Sequence, residues 1–297
     1  MTRLWRSLQY VPAHVEKYVA NPRIREADAV ILDLEDSVPV DEKVRARSAL
    51  GDSIQSLADA GPDILVRIND GEAGEADLVA ATTPGVAALV IPKVRSAEQL
   101  QRLDQRVTRA ETTNGVTPGT IGFVILIETA DGFLDMAAIA RASARVIAIN
   151  LGAEDFALDV GMECAEETLS GPRQMMAITA AAAGVMPLGL MGPATRFDDL
   201  EAYRDLALRS KRFGYVGSTC IHPSQIAILN AAFSPSAEAV TWSERVVAGA
   251  RDARANGRGA FAIEGRMIDA PIVARAEATL QRQAAVRERV QRNPGGG

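Results

Sequence analysis

A closed (β/α)8 barrel is the fold class that this 297-residue sequence predicts, and three observations carry it. Short apolar runs of strand length alternate with helical stretches every 25–30 residues or so, the pattern of a parallel sheet covered by helices. Eight such units fit in the chain, whose length suits one (β/α)8 barrel. No G-x-G-x-x-G or G-x-x-x-x-G-K-[ST] follows the first strand, so the sequence lacks the signature of dinucleotide and P-loop folds.

The first strand is Arg6–Pro12, stopped by its proline. Ala29–Leu34 is the second, ending in Glu35 and Asp36, and a helix runs from Lys43 through Leu50 and beyond. Ile64–Ile68 is the third, with Arg67 and Asn69 at its end, followed by a short helix over Glu75–Ala81. Ala87–Pro92 is the fourth, closed by Lys93, and Ala97–Thr113 is a charged amphipathic helix. Phe123–Ile127 and Val146–Leu151 are strands five and six, both apolar enough for a buried parallel sheet. Between them Gly132–Ala142 repeats apolar residues at helical spacing. Gly171–Gly184 reads as a small-residue helix ending at glycine. Val185–Leu190 is a weak seventh strand, Asp198–Arg212 a helix, and Gly214–Ile221 an eighth strand ending in His222–Pro223.

A barrel needs one helix after its eighth strand, and here the chain runs on. Residues 1–233 are therefore expected to form the barrel, 234–292 a C-terminal helical lid or oligomer contact, and 293–297 a disordered tail. Ser236 caps a helix from Ala237 to about Asn256. A strand-like Ala260–Ile263 and a last helix to about Arg292 follow, with Gly257, Gly259 and Gly265 as candidate hinges. A terminal helix merely packed on the barrel wall would have the same composition.

The net charge of −6, with no basic run or interleaved aromatics, excludes nucleic-acid binding as a main function. Cys164 and Cys220 lie far apart without metal or redox spacing, as expected of free thiols in a reducing cytoplasm. No signal-type apolar segment or membrane-length run occurs, so the expected location is cytoplasmic, without a membrane partner.

Parallel strands end on one face, and there the polar strand ends meet: Tyr10 and His14, Glu35 and Asp36, Arg67 and Asn69, Lys93, Glu128, Asp155, His222. The seventh strand adds none. Carboxylates from neighbouring strands, Glu128 and Asp155, are what a hard divalent cation needs, with other positions left to water and substrate. Strands that simply end where they meet water give the same pattern, and these residues alone do not separate the two readings. With the arginine and lysine included, the mouth reads as a site for a metal-chelated anion.

The blocks RSLQYVP, AVILDLEDSV, VRIND, VIPKV, LIETADG, GAEDFALDVG, GYVGSTCIHPSQI, FSPSAEAVTW and GRGAFAIEGRMIDAPIVARA resemble, in this order, the HpcH/HpaI aldolase / citrate lyase β-subunit family. The likeness runs from Arg6 to about Leu280 and is strongest to the branch with malyl-CoA and citramalyl-CoA lyases. It implies a (β/α)8 barrel, a Mg²⁺ cofactor with Mn²⁺ as a substitute, a homotrimer or hexamer, and reversible carbon–carbon cleavage of a 3-hydroxyacyl thioester. The substrate would be an acyl-CoA or acyl-carrier-protein thioester, and a 2-oxo acid the second product. By motif, Glu128 and Asp155 match the magnesium ligands and Arg67 the arginine that stabilises the enolate. Glu35 and Asp36 match acids that hold the metal's water. Asp269 in RMIDAP matches an acid/base delivered by a neighbouring subunit. The chain departs from the pattern at Ala13, where many members have glycine, and in the seventh strand, MPLGLMGPATRF, which lacks the usual aspartate.

Other roles compete at several of these positions. Asp269 is also placed to be a helix N-terminal acid, and His222 a structural histidine at the barrel rim. Lys93 is expected to pair with the acids of the mouth, with substrate contact as the alternative, and His14 to touch a cofactor loop. On the same metal site, a malyl-CoA-type thioesterase and a malate-synthase-like condensation remain open. So does a β subunit acting on a carrier-protein thioester within a citrate lyase complex.

Overall fold

The computed structural model of the chain describes residues 3–58, 61–193, 198–257 and 259–292. Its eight barrel strands are β1 (Ser7–Pro12), β2 (Ala29–Asp33), β3 (Asp63–Arg67), β4 (Val86–Ile91), β5 (Gly122–Ile127), β6 (Val146–Leu151), β7 (Met186–Leu188) and β8 (Ser218–Cys220). They pair in parallel in the order β7-β6-β5-β4-β3-β2-β1-β8. The ring closes between β7 and the lead-in to β8, where Gly189 N–H donates to Gly217 C=O at 2.9 Å and Val216 N–H to Pro187 C=O at 3.1 Å. The fold is the (β/α)8 barrel expected from the alternation of strands and helices.

Strand periodicity fixes what fills the barrel. Residues two apart share a face, and the interior series are Leu8, Ala29 and Ile31, Leu65, Ala88 and Val90, Val124 and Leu126, Ala148 and Leu188. The alternate residues, such as Val30 and Leu32, Ile64 and Val66, and Phe123 and Ile125, pack outward beneath the helices in a larger core. Trp5 plugs the N-terminal end, its indole N–H donating to Asp63 Oδ2 at 2.7 Å. Gly217 must lack a side chain because a Cβ there would run into the Trp5 backbone. At the same end Arg6 grips Asp28, and Arg145 grips Glu111 and Asp104 through bonds of 2.6–2.8 Å.

Several helix boundaries differ from expectation: the helix expected over Glu75–Ala81 begins at Gly71, and the one from Lys43 onward is two, Lys43–Ser48 and Leu50–Ala58. The helix expected over Gly132–Ala142 is two short ones, Ala130–Leu134 and Met136–Ile139. The break falls at Asp135, whose carboxylate accepts the Ala97 N–H at 2.9 Å and so serves the neighbouring helix. The helix expected to begin at Gly171 begins at Glu166 and carries Pro172 inside it. Gly171–Pro172 reads locally as a start, but Leu169, Arg173, Met176, Ala177 and Ala180 form one buried stripe that continues the helix through it. The eighth strand is also shorter than the expected Gly214–Ile221.

The chain divides into two compact units, Trp5–Phe233 and the segment from Ser234 onward together with Arg3 and Leu4. The second contains helices Ala237–Ala255 and Ala270–Arg292 and an antiparallel hairpin of β9 (Phe261–Ile263) and β10 (Arg266–Ile268). Sequence periodicity foresaw only the first strand of that hairpin. Its two-residue turn has Glu264 at φ +51° and Gly265, one of the candidate hinges, at φ +76°. Val246, Ala250, Ile268, Val273 and Ala276 form this unit's core. Residues 293–297, expected to form a tail, lie outside the described residues, as do 194–197 after β7. Among the described residues no helix is long and apolar enough to cross a membrane, and Cys164 and Cys220 are free thiols.

Candidate active site

The interior series of the strands end in polar residues at one mouth: Leu8 leads to Tyr10, Ile31 to Asp33, Leu65 to Arg67, Leu126 to Glu128 and Ala148 to Asn150. These residues line a cavity of about 550 Å³ at the C-terminal ends of the strands, the face on which barrel enzymes carry their sites. Asp155 lines it too, from the first turn of the helix Ala153–Val160 that follows β6.

Arg67 is the most heavily braced residue here. Its Nε and Nη2 donate to Asp33 Oδ1 and Oδ2 at 2.6 and 2.7 Å, and Nη1 donates to Asp36 Oδ2 at 3.0 Å. Its guanidinium lies 4.8 Å from the centre of the Tyr10 ring. Asp33 is fully buried, and burial pushes its carboxyl up, but the Arg67 bonds and the Ser37 hydroxyl hold it below the ordinary carboxylate range. Asp33 also accepts the Glu35 and Ser37 backbone N–H groups at 3.0 and 3.2 Å, folding the loop that carries Glu35 and Asp36. Sequence reasoning assigned Asp33 no role. The signal was its place in the interior series and, one strand away, an arginine at the same height.

Glu35 Oε2 stands 2.8 Å from Arg67 Nη1, yet out of line for a hydrogen bond, so it is a buried acceptor with no donor. Burial raises the Glu35 carboxyl despite the Arg67 charge. Its other oxygen pairs with Lys93 Nζ at 3.3 Å, so the Lys93 side chain joins the acids of the mouth. The Lys93 backbone sits in the left-handed region at φ +51° and donates its N–H to Glu128 Oε2 at 2.8 Å. A non-glycine residue held there costs of order 1 kcal/mol. Periodicity gives no hint of this contact.

Glu128 is buried beside other acids. Burial, with the Glu35 and Asp155 charges adding to it, pushes its carboxyl up to about 7 against the Lys93 N–H bond. Gly152 makes its position possible, since a Cβ there would overlap Cγ and Oε1 and lie 2.8 Å from Cδ. Asn69, by contrast, braces the loops. Its Nδ2 donates to Leu34 C=O and Asp77 Oδ2 at 2.8 and 2.6 Å, and its Oδ1 accepts from Lys43 Nζ at 2.7 Å.

Glu35 and Lys93 join the lining through their contacts with Arg67 and Glu128, whereas His14 and His222 are outside it. His14 lines a second cavity with Arg25, Arg45 and Asp52, and its Nδ1 is buried without a hydrogen-bond partner. His222 caps the turn Pro223–Gln225, its Nδ1 2.7 Å from Ser224 Oγ and accepting the Ser224 N–H at 3.2 Å. Asp269 belongs to the second unit, where its Oδ1 accepts the Ile272 N–H at 3.4 Å at the start of the last helix.

Among the described residues no three His, Cys, Asp or Glu side chains form a ready-made metal cluster. The donor set nevertheless fits a hard dication held by few protein ligands. Glu128 and Asp155 offer carboxylate oxygens, Glu35 Oε2 is a buried oxygen held beside Arg67 by charge without a hydrogen bond, and Gly152 keeps the space beside Glu128 free of side-chain atoms.

A parallel barrel whose mouth joins buried carboxylates to a braced arginine has the architecture of an enzyme, and comparison with known proteins defines its family. The HpcH/HpaI aldolase/citrate lyase family model matches residues 6–223, and the chain belongs to that lyase family. It is 32% identical over 286 residues to citrate lyase subunit beta of Escherichia coli K12, covering 95% of this chain and 94% of that one. It is 34% identical over 297 residues to an L-malyl-CoA/beta-methylmalyl-CoA lyase of Cereibacter sphaeroides, covering 92% and 91%. The structure of CitE from Mycobacterium tuberculosis in complex with magnesium, acetoacetate and coenzyme A superposes with a TM-score of 0.74 at 29% identity, covering 96% and 100%.

Proposed function

We propose that the protein is a Mg²⁺-dependent carbon–carbon lyase that cleaves a 3-hydroxyacyl-CoA thioester to an acyl thioester and a 2-oxo acid. The observation that carries this reading is the buried Glu128, with Asp155, in one cavity with an arginine fixed by Asp33. Support comes from the relatives, two named as lyases and one solved with magnesium and coenzyme A.

In this reading Glu128 and Asp155 hold the ion. When bound, it polarises the ketone and carboxylate of the oxo-acid fragment. Glu35 and Asp36 orient water around that position. Cleavage starts when a base removes the proton of the C3 hydroxyl. The C2–C3 bond then breaks, the hydroxyl carbon becomes the carbonyl carbon of the oxo acid, and the electron pair moves through C2 onto the thioester oxygen as an enolate. Arg67 faces that developing charge. Its contacts with Asp33 are already formed, so it needs little reorganisation as the charge appears. Protonation at C2 releases the acyl thioester. Asp269 is the proposed acid/base, supplied to the barrel of a neighbouring subunit in a cytoplasmic homotrimer or hexamer, where its exchange of protons at the substrate would be shielded from water.

The test is a panel of malyl-, citramalyl- and other 3-hydroxyacyl-CoA esters with Mg²⁺, following oxo acid, acyl thioester and free thiol. Equal amounts of oxo acid and acyl thioester are expected, abolished by chelation. Thiol release as the primary product would overturn the lyase reading in favour of a thioesterase.

A further inference from the structure

One cation of the mouth has no partner in the mechanism above. Arg173 is 4% exposed, on the buried stripe of helix Glu166–Ala183, and its side chain lines the 550 Å³ cavity. The other buried arginines of the barrel unit each grip a carboxylate with two nitrogens: Arg6 on Asp28, Arg67 on Asp33, Arg145 on Glu111. Arg173 grips none among the described residues, and its Nη1 is buried with no hydrogen-bond partner.

Of the acids near it, Glu166 pairs with Arg209, and Glu154 acts on the guanidinium through its charge alone. Burial lowers the affinity of the Arg173 guanidinium for its proton, an effect only partly offset by Tyr215, Cys164, Glu166 and Glu154. The backbone beneath is fixed, for the Tyr215 hydroxyl donates to the Arg173 carbonyl at 2.9 Å. A buried guanidinium that lines a cavity and closes no two-pronged pair with a carboxylate is a receptor for a planar anion, above all a carboxylate. Without such a ligand, its burial is only partly compensated.

Position selects which part of the substrate it meets. Arg173 follows β6 and stands near Glu154, next to Asp155, whereas Arg67 belongs to β3 on the other side of the ring. Gly152, Gly189 and Gly192 also line the cavity, and Gly152 lies directly against the Glu128 carboxylate. Resting on the function proposed above, we propose that Arg173 is a specificity-determining residue that binds a second carboxylate on the 2-oxo acid half. The preferred oxo-acid fragment is thus a dicarboxylate.

Equilibrium titration tests this without turnover. Binding of pyruvate, freshly dissolved oxaloacetate and coenzyme A is measured calorimetrically with Mg²⁺ for the wild type, Arg173→Gln and Arg173→Lys. The wild type should bind oxaloacetate at least about 10-fold more tightly than pyruvate. Arg173→Gln should weaken oxaloacetate by roughly 10- to 100-fold, as expected for loss of charged hydrogen bonds, while moving pyruvate and coenzyme A about twofold or less. Arg173→Lys should restore part of the loss. Equal wild-type affinity for the two oxo acids overturns the proposal even if Arg173→Gln fails to fold. Equal weakening of both acids by Arg173→Gln, or selective loss of coenzyme A, overturns it as well. If the wild type binds no oxo acid with Mg²⁺ and cleaves no thioester, the lyase reading falls and this inference with it. Thioester cleavage without dicarboxylate preference removes this inference alone.

Discussion

Asp33 and Arg67 face each other directly across the β2–β3 ladder and close a two-pronged ion pair of 2.6 and 2.7 Å inside the barrel. Because the two strands are in register, the arginine is positioned by the sheet itself. Replacing Asp33 with Asn leaves a buried guanidinium short of a charge. We expect Asp33→Asn to cost about 3 kcal/mol or more in denaturant unfolding, the range for breaking a buried ion pair. Arg67→Lys keeps the charge but loses the fork, and turnover should fall on the order of 10²-fold or more. A lysine variant within a few-fold of wild type would reduce Arg67 to a general electrostatic contact.

Glu128 makes the stability of the metal-free protein fall with rising pH. Its carboxyl holds a proton up to about 7 in the fold and only to its ordinary 4.5 when unfolded. Between those values the folded state binds more protons, so stability decreases as pH rises and levels off above the window. Glu128→Gln cannot ionise, and at pH 8 without metal it should be more stable than wild type by up to about 3 kcal/mol. Mg²⁺ should raise the melting temperature of the wild type and leave Glu128→Gln and Asp155→Asn unchanged and inactive. Thermal unfolding with and without Mg²⁺ across this pH range checks both halves. A retained Mg²⁺ response in either variant would remove that residue as a ligand.

Gly152 sits at φ −74°, a conformation open to any residue, so space rather than backbone demands glycine. Gly152→Ala drives a methyl group into the Glu128 side chain. Apparent Mg²⁺ affinity should drop roughly 10- to 100-fold, as when a ligand's support is lost, with only a modest change in melting temperature. Metal titration monitored by calorimetry distinguishes this from unfolding.

Complementation tests whether Asp269 acts on a neighbour's barrel. Asp269→Ala and Glu128→Gln should each be inactive. After subunit exchange, an intact Glu128 barrel can meet an intact Asp269, and partial activity should return. Exchange demonstrated by mass spectrometry without recovery would mean that Asp269 acts on its own barrel or has no catalytic part.

Sequence alone determined the barrel, because alternation of buried strands with helices is local and repeated eight times across the chain. It also supplied Arg67, Glu128 and Asp155, since parallel strands deliver their polar C-terminal ends to one face and the cavity gathers all three. Tertiary structure decided what those residues touch. The Asp33–Arg67 pair depends on register between strands 34 positions apart. The Lys93 N–H on Glu128 depends on a left-handed backbone, and the place of Arg173 in the cavity lining depends on a helix continuing through Pro172. Hydrophobic periodicity records which face of an element is buried. It carries no record of which buried charges meet, because that is set by the relative height of strands and helices once the barrel closes.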